Sequence, residues 1–218
     1  MRWWETSVGG RARGRIIALL RRRPHSVDEL AADLDVTHNA VRAHVQALER
    51  AEIVRAAGMR RGGGVGKPAT LYEIAADSEP LLSSAYAPVL RELLTALGDR
   101  LAPAALDDLF RDVGRRLALA NGAAAGAAAP ATAKQLDARV RAAAALLEAL
   151  GSEVEIERTR DAYVVRGFAC PLSSAVLVQP KVCHAVEELV AAVVGVPVTE
   201  CCDRTDRARC CFEIRRAG

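Results

Sequence analysis

Aromatic residues are scarce in this chain: Phe, Trp and Tyr make up 4% of its 218 residues. The core is therefore expected from Leu, Val, Ile and Ala, a set that favours helices. Long apolar runs are missing too. No stretch approaches the roughly 18 apolar residues of a membrane-spanning helix, so no membrane partner is expected. The first residues, MRWWETSVGGRARGR, hold no apolar segment followed by a small-residue cleavage site, so no secretion signal is read. A cytoplasmic protein is the resulting expectation, and thiols in that compartment stay reduced. No internal repeat is visible. The glycines of residues 62–66 do not form a phosphate-binding loop, because Lys67 is followed by Pro68 and no strand–loop–helix pattern surrounds them. No nucleophilic cysteine has a paired general base in the sequence, so an enzyme is not expected.

What is present describes a globular chain of one or two domains. Hydrophobic residues are 51% and charged residues 26%, which excludes a disordered polyelectrolyte. The net charge of +3 is unevenly placed: residues 1–75 carry 13 Lys and Arg against 8 Asp and Glu, and the remainder is net negative. A basic N-terminal part is where a polyanion would bind.

That part has an ordered set of signals. Residues 11–23 read as a helix with Ile16, Ile17, Leu19 and Leu20 on one face, stopped by Pro24. Ser26 and Glu29 have capping-box spacing ahead of a short helix to Leu34. Asp35-Val36 turns the chain, and Thr37 caps a third helix to about Ala51, with Val41, Val45 and Leu48 inward. Strands follow at residues 53–55 and 69–74, joined by a basic glycine loop. Three helices and a hairpin in this order predict a winged helix-turn-helix over residues 1–78. Its partner is double-stranded DNA. His38, Asn39, Arg42 and Gln46 would face the major groove, where Asn, Gln and Arg can bond base edges in pairs. Thr37 would meet a phosphate, and Arg60, Arg61 and Lys67 at the loop would meet the backbone or minor groove. His44 lies beside Val41 and Val45 and reads equally as a packed residue, and Arg50 reads as solvated.

Residues 79–131 read as a helical linker and dimerisation region, with two helices broken near Pro103 and a low-complexity joint at 121–130. Residues 132–218 read as an α+β domain: a helix to Leu150, strands at 153–157 and 162–168, a helix at 180–194, and strands at 197–202 and 209–215. The whole chain is thus α+β.

All six cysteines lie in this last part: Cys170, Cys183, Cys201, Cys202, Cys210 and Cys211. Converging thiolates suit an iron–sulfur cluster or zinc. No pair has CxxC spacing, so such a site must be assembled by the tertiary fold. Cys170, Cys183, Cys202 and Cys210 are the candidate ligands. Cys201 and Cys211 read equally as ligands or as small buried hydrophobes, and His184 as a further ligand or an outer partner. Cys183, in the first turn of its helix, should have its thiolate favoured by the helix field.

Several segments resemble a known family. Val27 to Ala31, Thr37 to Val45 and Gly66 to Tyr72 are similar to the bacterial winged-helix regulators that include the Suf-operon repressor. Cys170-Pro171, with Cys183 thirteen positions on, resembles that family's Cys-Pro-Phe … His-Pro-Glu-Val-Cys segment. Leu172 stands for the aromatic, and Gln179 for the His. The end, Arg209 to Ile214, resembles the family's last Cys-x-aromatic strand, and also the small-molecule-binding domain named for vinyl reductase. The resemblance implies a [4Fe-4S] sensor that represses cluster-assembly genes. A homodimer is expected, because winged-helix modules usually read two half-sites and two-fold symmetry matches a palindrome. Three alternatives stay open: structural zinc, a small-ligand pocket lined by the cysteines, and a thiol-redox enzyme with an accessory DNA module.

Overall fold

The computed structural model describes residues 11–60, 68–124, 128–205 and 207–216. The chain divides into two units, with the boundary between Tyr86 and Ala87.

In the first unit, α1 (Arg11–Leu20) turns Ile16, Ile17 and Leu20 inward. It closes at Leu20, so Arg21 to Arg23 follow the helix instead of filling its last turn. Strand β1 (His25–Ser26) leads into α2 (Val27–Leu34). The capping box forms: Glu29 N–H donates to Ser26 Oγ at 3.2 Å, and Ser26 N–H to Glu29 Oε2 at 2.8 Å. Asp35, at φ 54°, makes the left-handed turn into Thr37 and α3 (His38–Arg50). Strands β2 (Val54–Arg60) and β3 (Ala69–Ile74) complete an antiparallel sheet in the order β1-β3-β2. The β2 strand runs beyond the expected residues 53–55. Beyond Val54 its side chains are all exposed, so no inward-outward alternation announces it. A bulge between Ala56 and Gly58 shifts the register, and Gly58, at φ 128°, supplies the backbone angle it requires. Ile16, Ile17, Leu30, Val41, Val45, Leu48 and Val54 form the core.

The second unit contains α4 (Tyr86–Arg100) from Ala87 on, α5 (Pro103–Ala120), α6 (Ala133–Ala149), β4 (Val154–Arg158), β5 (Ala162–Gly167), a single-turn α7 (Ser173–Val176), α8 (Cys183–Val194), β6 (Val198–Glu200) and β7 (Cys211–Arg215). Its sheet is antiparallel in the order β4-β5-β7-β6. Leu136, Val140 and Leu147 of α6 and Val186, Val190 and Val194 of α8 pack against Tyr163, Val165, Phe212 and Ile214 of the sheet. A second cluster joins Leu94 of α4, Leu106 and Phe110 of α5, Ala175 and Val176 of α7, and Val182, Cys183 and Ala185. Residues 79–131 therefore do not stand apart as a helical region. Leu94, Leu106 and Phe110 find their cover among residues 175–185, because a helix pair alone cannot bury its apolar faces. Gly114 lets α5 meet α8 closely: a Cβ there would lie 2.3 Å from Ala185 O. Among the described residues no helix is long and apolar enough to cross a membrane.

Candidate functional site

Two groups of side chains have the chemistry for function, one in each unit. In the first unit, α3 is set by burial of Val41, Val45 and Leu48 and by Thr37 Oγ1, which accepts Ala40 N–H at 3.3 Å. The opposite face carries His38, Asn39, Arg42, Gln46 and Arg50, all exposed. Among the described residues Asn39, Arg42 and Gln46 make no side-chain hydrogen bond or ion pair, so their polar ends face solvent. An open groove of about 500 Å³ runs between α3, the start of α2 and β3, with Arg42, Gln46, Asp28, Thr70 and Tyr72 on its walls. His44 is half-buried, between the two faces. Burial, and then the charge of Glu49, raise the Tyr72 phenol above its ordinary value.

Three acidic contacts qualify this surface. His38 Nε2 lies 3.2 Å from Asp28 Oδ1. Arg60 Nη2 lies 2.8 Å from Glu29 Oε2, and Arg23 Nη1 lies 3.0 Å from Glu29 Oε1. The Ser26 amide and the Arg60 guanidinium hold the Glu29 carboxyl down to about 2. Arg60, expected at the loop tip, is thus engaged at the root of the hairpin. An exposed pair of this kind is worth about 0–1 kcal/mol, so a phosphate could compete for the guanidinium. Arg61 and Lys67 lie outside the described residues.

In the second unit the fold brings the four candidate thiols together from three separate segments. Cys170 sits half-buried on the loop after β5, and Cys183 is the buried first residue of α8. Cys202 follows β6, and Cys210 directly precedes β7. Cys170 packs against both cores of this unit, Cys183 belongs to one, and Cys202 and Cys210 to the other. The thiols neighbour one another in the order Cys183, Cys202, Cys210 and Cys170, close enough to shift one another's titration. The neighbouring Cys202 and burial raise the Cys183 thiol. Cys183 lowers the neighbouring Cys202, but Cys210 and burial prevail and push it up to about 12. The neighbouring Cys170 pushes Cys210 up to about 12. The neighbouring Cys210 lowers Cys170.

The expected helix-field activation of Cys183 is corrected here. A 3-10 turn, Pro180–Val182, runs straight into α8, and the Cys183 amide donates back to Pro180 and Lys181 carbonyls. Cys183 is therefore not at an open helix end. The expectation of wholly reduced cysteines is corrected as well: Cys201 and Cys211 form a disulfide with their Cα atoms 4.8 Å apart. Cys201 N–H donates to Cys211 O at 2.8 Å, so the two residues stand opposite one another, within disulfide reach. Neither is then free to ligate, whereas the other four are free thiols.

Two neighbours of the thiols had no local pattern to announce them. Glu200, at the end of β6, accepts Cys202 N–H at 2.9 Å and pairs with Arg204. Arg204 also lies near the Cys183 thiol and acts to lower it. His184 is turned elsewhere: its Nδ1 lies 2.9 Å from Asp107 Oδ1, and Lys181 Nζ holds the other carboxylate oxygen at 2.7 Å. His184 thus helps tie α8 to α5.

Residues 11–56 match the protein family described as a helix-turn-helix domain. No curated protein matches the chain. The match covers α1, α2, α3 and the start of β2, which fits a DNA-binding transcriptional regulator.

Proposed function

We propose that this protein is a transcriptional repressor that reports iron–sulfur or redox status to DNA through Cys170, Cys183, Cys202 and Cys210. The observation that carries the reading is their convergence. Four free thiols from a loop, a helix start and a strand connection meet where two apolar cores join, while the remaining pair is tied in a disulfide. The donor set suits a soft metal centre. A [4Fe-4S] cluster is the group that the resemblance to the Suf-operon repressor favours. Bound there, it would supply a centre sensitive to oxygen and to electron supply. Zinc is the second reading, favoured by the closeness of two of the thiols to a carboxylate.

The protein-side consequences fall on named residues. The thiols must lose their protons and adjust their spacing to hold a metal centre. The loop at Cys170, the start of α8 and the β6–β7 connection are the segments that move. In this reading their rearrangement changes operator affinity, and about 1.4 kcal/mol of differential binding gives a tenfold change. Arg42, Gln46 and Asn39 read the major groove, with Thr37, His38 and the basic hairpin on phosphates. The protein acts in the cytoplasm as a homodimer on a two-fold operator.

The test is anaerobic purification with an absorption spectrum and analysis of iron, sulfide and zinc. Brown protein with about four iron and four sulfide per chain supports the cluster. Colourless protein with one zinc supports the second reading. Equal operator affinity with the centre present and removed overturns the sensor.

A further inference from the structure

Beside the thiols stands an oxygen donor of matching reach. Ligand atoms of Cys183, Glu200 and Cys202 all lie within 4.8 Å of one another. Tetrahedral zinc, with Zn–S bonds near 2.3 Å and Zn–O bonds near 2.0–2.2 Å, holds its ligand atoms roughly 3.5–4 Å apart. The triad needs only a small contraction to meet that geometry.

The Glu200 side chain is only 12% exposed. Burying a carboxylate is costly unless its oxygens are satisfied. Each oxygen here has one partner, the Cys202 amide or the Arg204 guanidinium. A carboxylate has about four lone-pair sites, so capacity for a metal remains. The β6–β7 connection fixes the spacing. Glu200 and Cys202 are two residues apart, and the Cys202 amide bond turns the carboxylate back toward the sulfur of the same residue. Arg204 pairs with Glu200, so in the metal-free protein a guanidinium already holds the carboxylate as a cation would.

We infer that Glu200 is a direct oxygen ligand of the metal centre, forming with Cys183 and Cys202 a three-donor site for a divalent ion of zinc type. The inference rests on the reading that the thiols hold metal, and adds the one donor that is not sulfur. Arg204 is the stand-in cation that metal displaces from the carboxylate.

The test titrates full-length, metal-free, oxygen-free protein with Co²⁺, whose thiolate charge-transfer band counts sulfur donors and whose visible bands report tetrahedral geometry. Wild type should bind one Co²⁺ at this site. Glu200→Gln keeps an acceptor for the Cys202 amide but removes the charged ligand. It should weaken Co²⁺ at least about tenfold, the low end for losing even an outer partner of a metal site, and shift the visible bands. Glu200→Asp should recover part of the affinity. Arg204→Gln should bind as tightly as wild type or more so, and Cys183→Ser should lose one sulfur's share of the charge-transfer band. If Glu200→Gln matches wild type in affinity and spectrum while Cys183→Ser is impaired, Glu200 is not a ligand and the thiol reading stands. If Arg204→Gln weakens binding as much as Glu200→Gln, Glu200 acts through its ion pair and the inference fails. If wild type takes up no Co²⁺ and no iron–sulfur cluster, both readings fail together.

Discussion

Arg42 shows how little a single exposed cation declares about its role. Its helix position is fixed by Val41 and Val45, which are buried on either side of it in sequence. Its guanidinium faces an open groove beside Gln46. A bidentate contact to a base edge is worth about 1–3 kcal/mol, so Arg42→Ala should cost that much in operator affinity and blur discrimination at one base position. A binding titration at low salt on matched and scrambled duplexes checks it. Glu29 makes a pH prediction. Its folded-state value is held near 2 against an ordinary 4.5, first by the Ser26 amide and then by Arg60. A depressed carboxyl stabilises the fold above its unfolded value and loses that contribution as pH falls toward the folded one. The urea midpoint should therefore fall between about pH 4.5 and 2, and Glu29→Gln should flatten that slope.

At the scale of elements, the helices were legible wherever apolar spacing and a cap agreed. The Ser26–Glu29 box and the Thr37 cap placed α2 and α3 to within a residue of their ends. Elements without such a pattern were not legible. The outer part of β2 is exposed throughout, and α7 is a single turn with no cap. Gly114 belongs to this class too. In sequence it is one glycine in a helix, and only the approach of α8 explains it. Gly114→Ala would place a methyl group within 2.3 Å of Ala185 O and 2.8 Å of Glu188 Cβ. Overpacking of this kind costs about 1–3 kcal/mol, enough to lower Tm by several degrees in a thermal melt followed by circular dichroism.

At the scale of the whole molecule, α4 carries an exposed apolar stripe. Tyr86, Val89 and Leu93 are 63%, 63% and 54% exposed, with Leu90 between them, and they recur at helical spacing on one face. Leu94 and Leu97, on the adjoining side, pack into the second unit. An apolar stripe left bare is the mark of an association surface, and the proposed homodimer supplies an identical stripe as its partner. Leu93→Glu should leave the helix content unchanged, because the side chain is more than half exposed, and should halve the mass measured by sedimentation. It should also weaken binding to a two-site operator far more than to a half-site. An unchanged mass would remove this face from the dimer.

The sequence by itself determined the local structure of the N-terminal part and the exposed polar face of α3. Both follow from residue types at short spacing, through periodicity and capping. Tertiary structure alone decided which sulfurs pair, where Arg60 and His184 turn, and that Glu200 stands among the thiols. Cys201 and Cys202 are adjacent in sequence, yet one meets Cys211 and the other approaches Cys183 and Cys210. The register of β6 and β7 makes that division. Register is a pairing between distant residues, and no local signal can encode it.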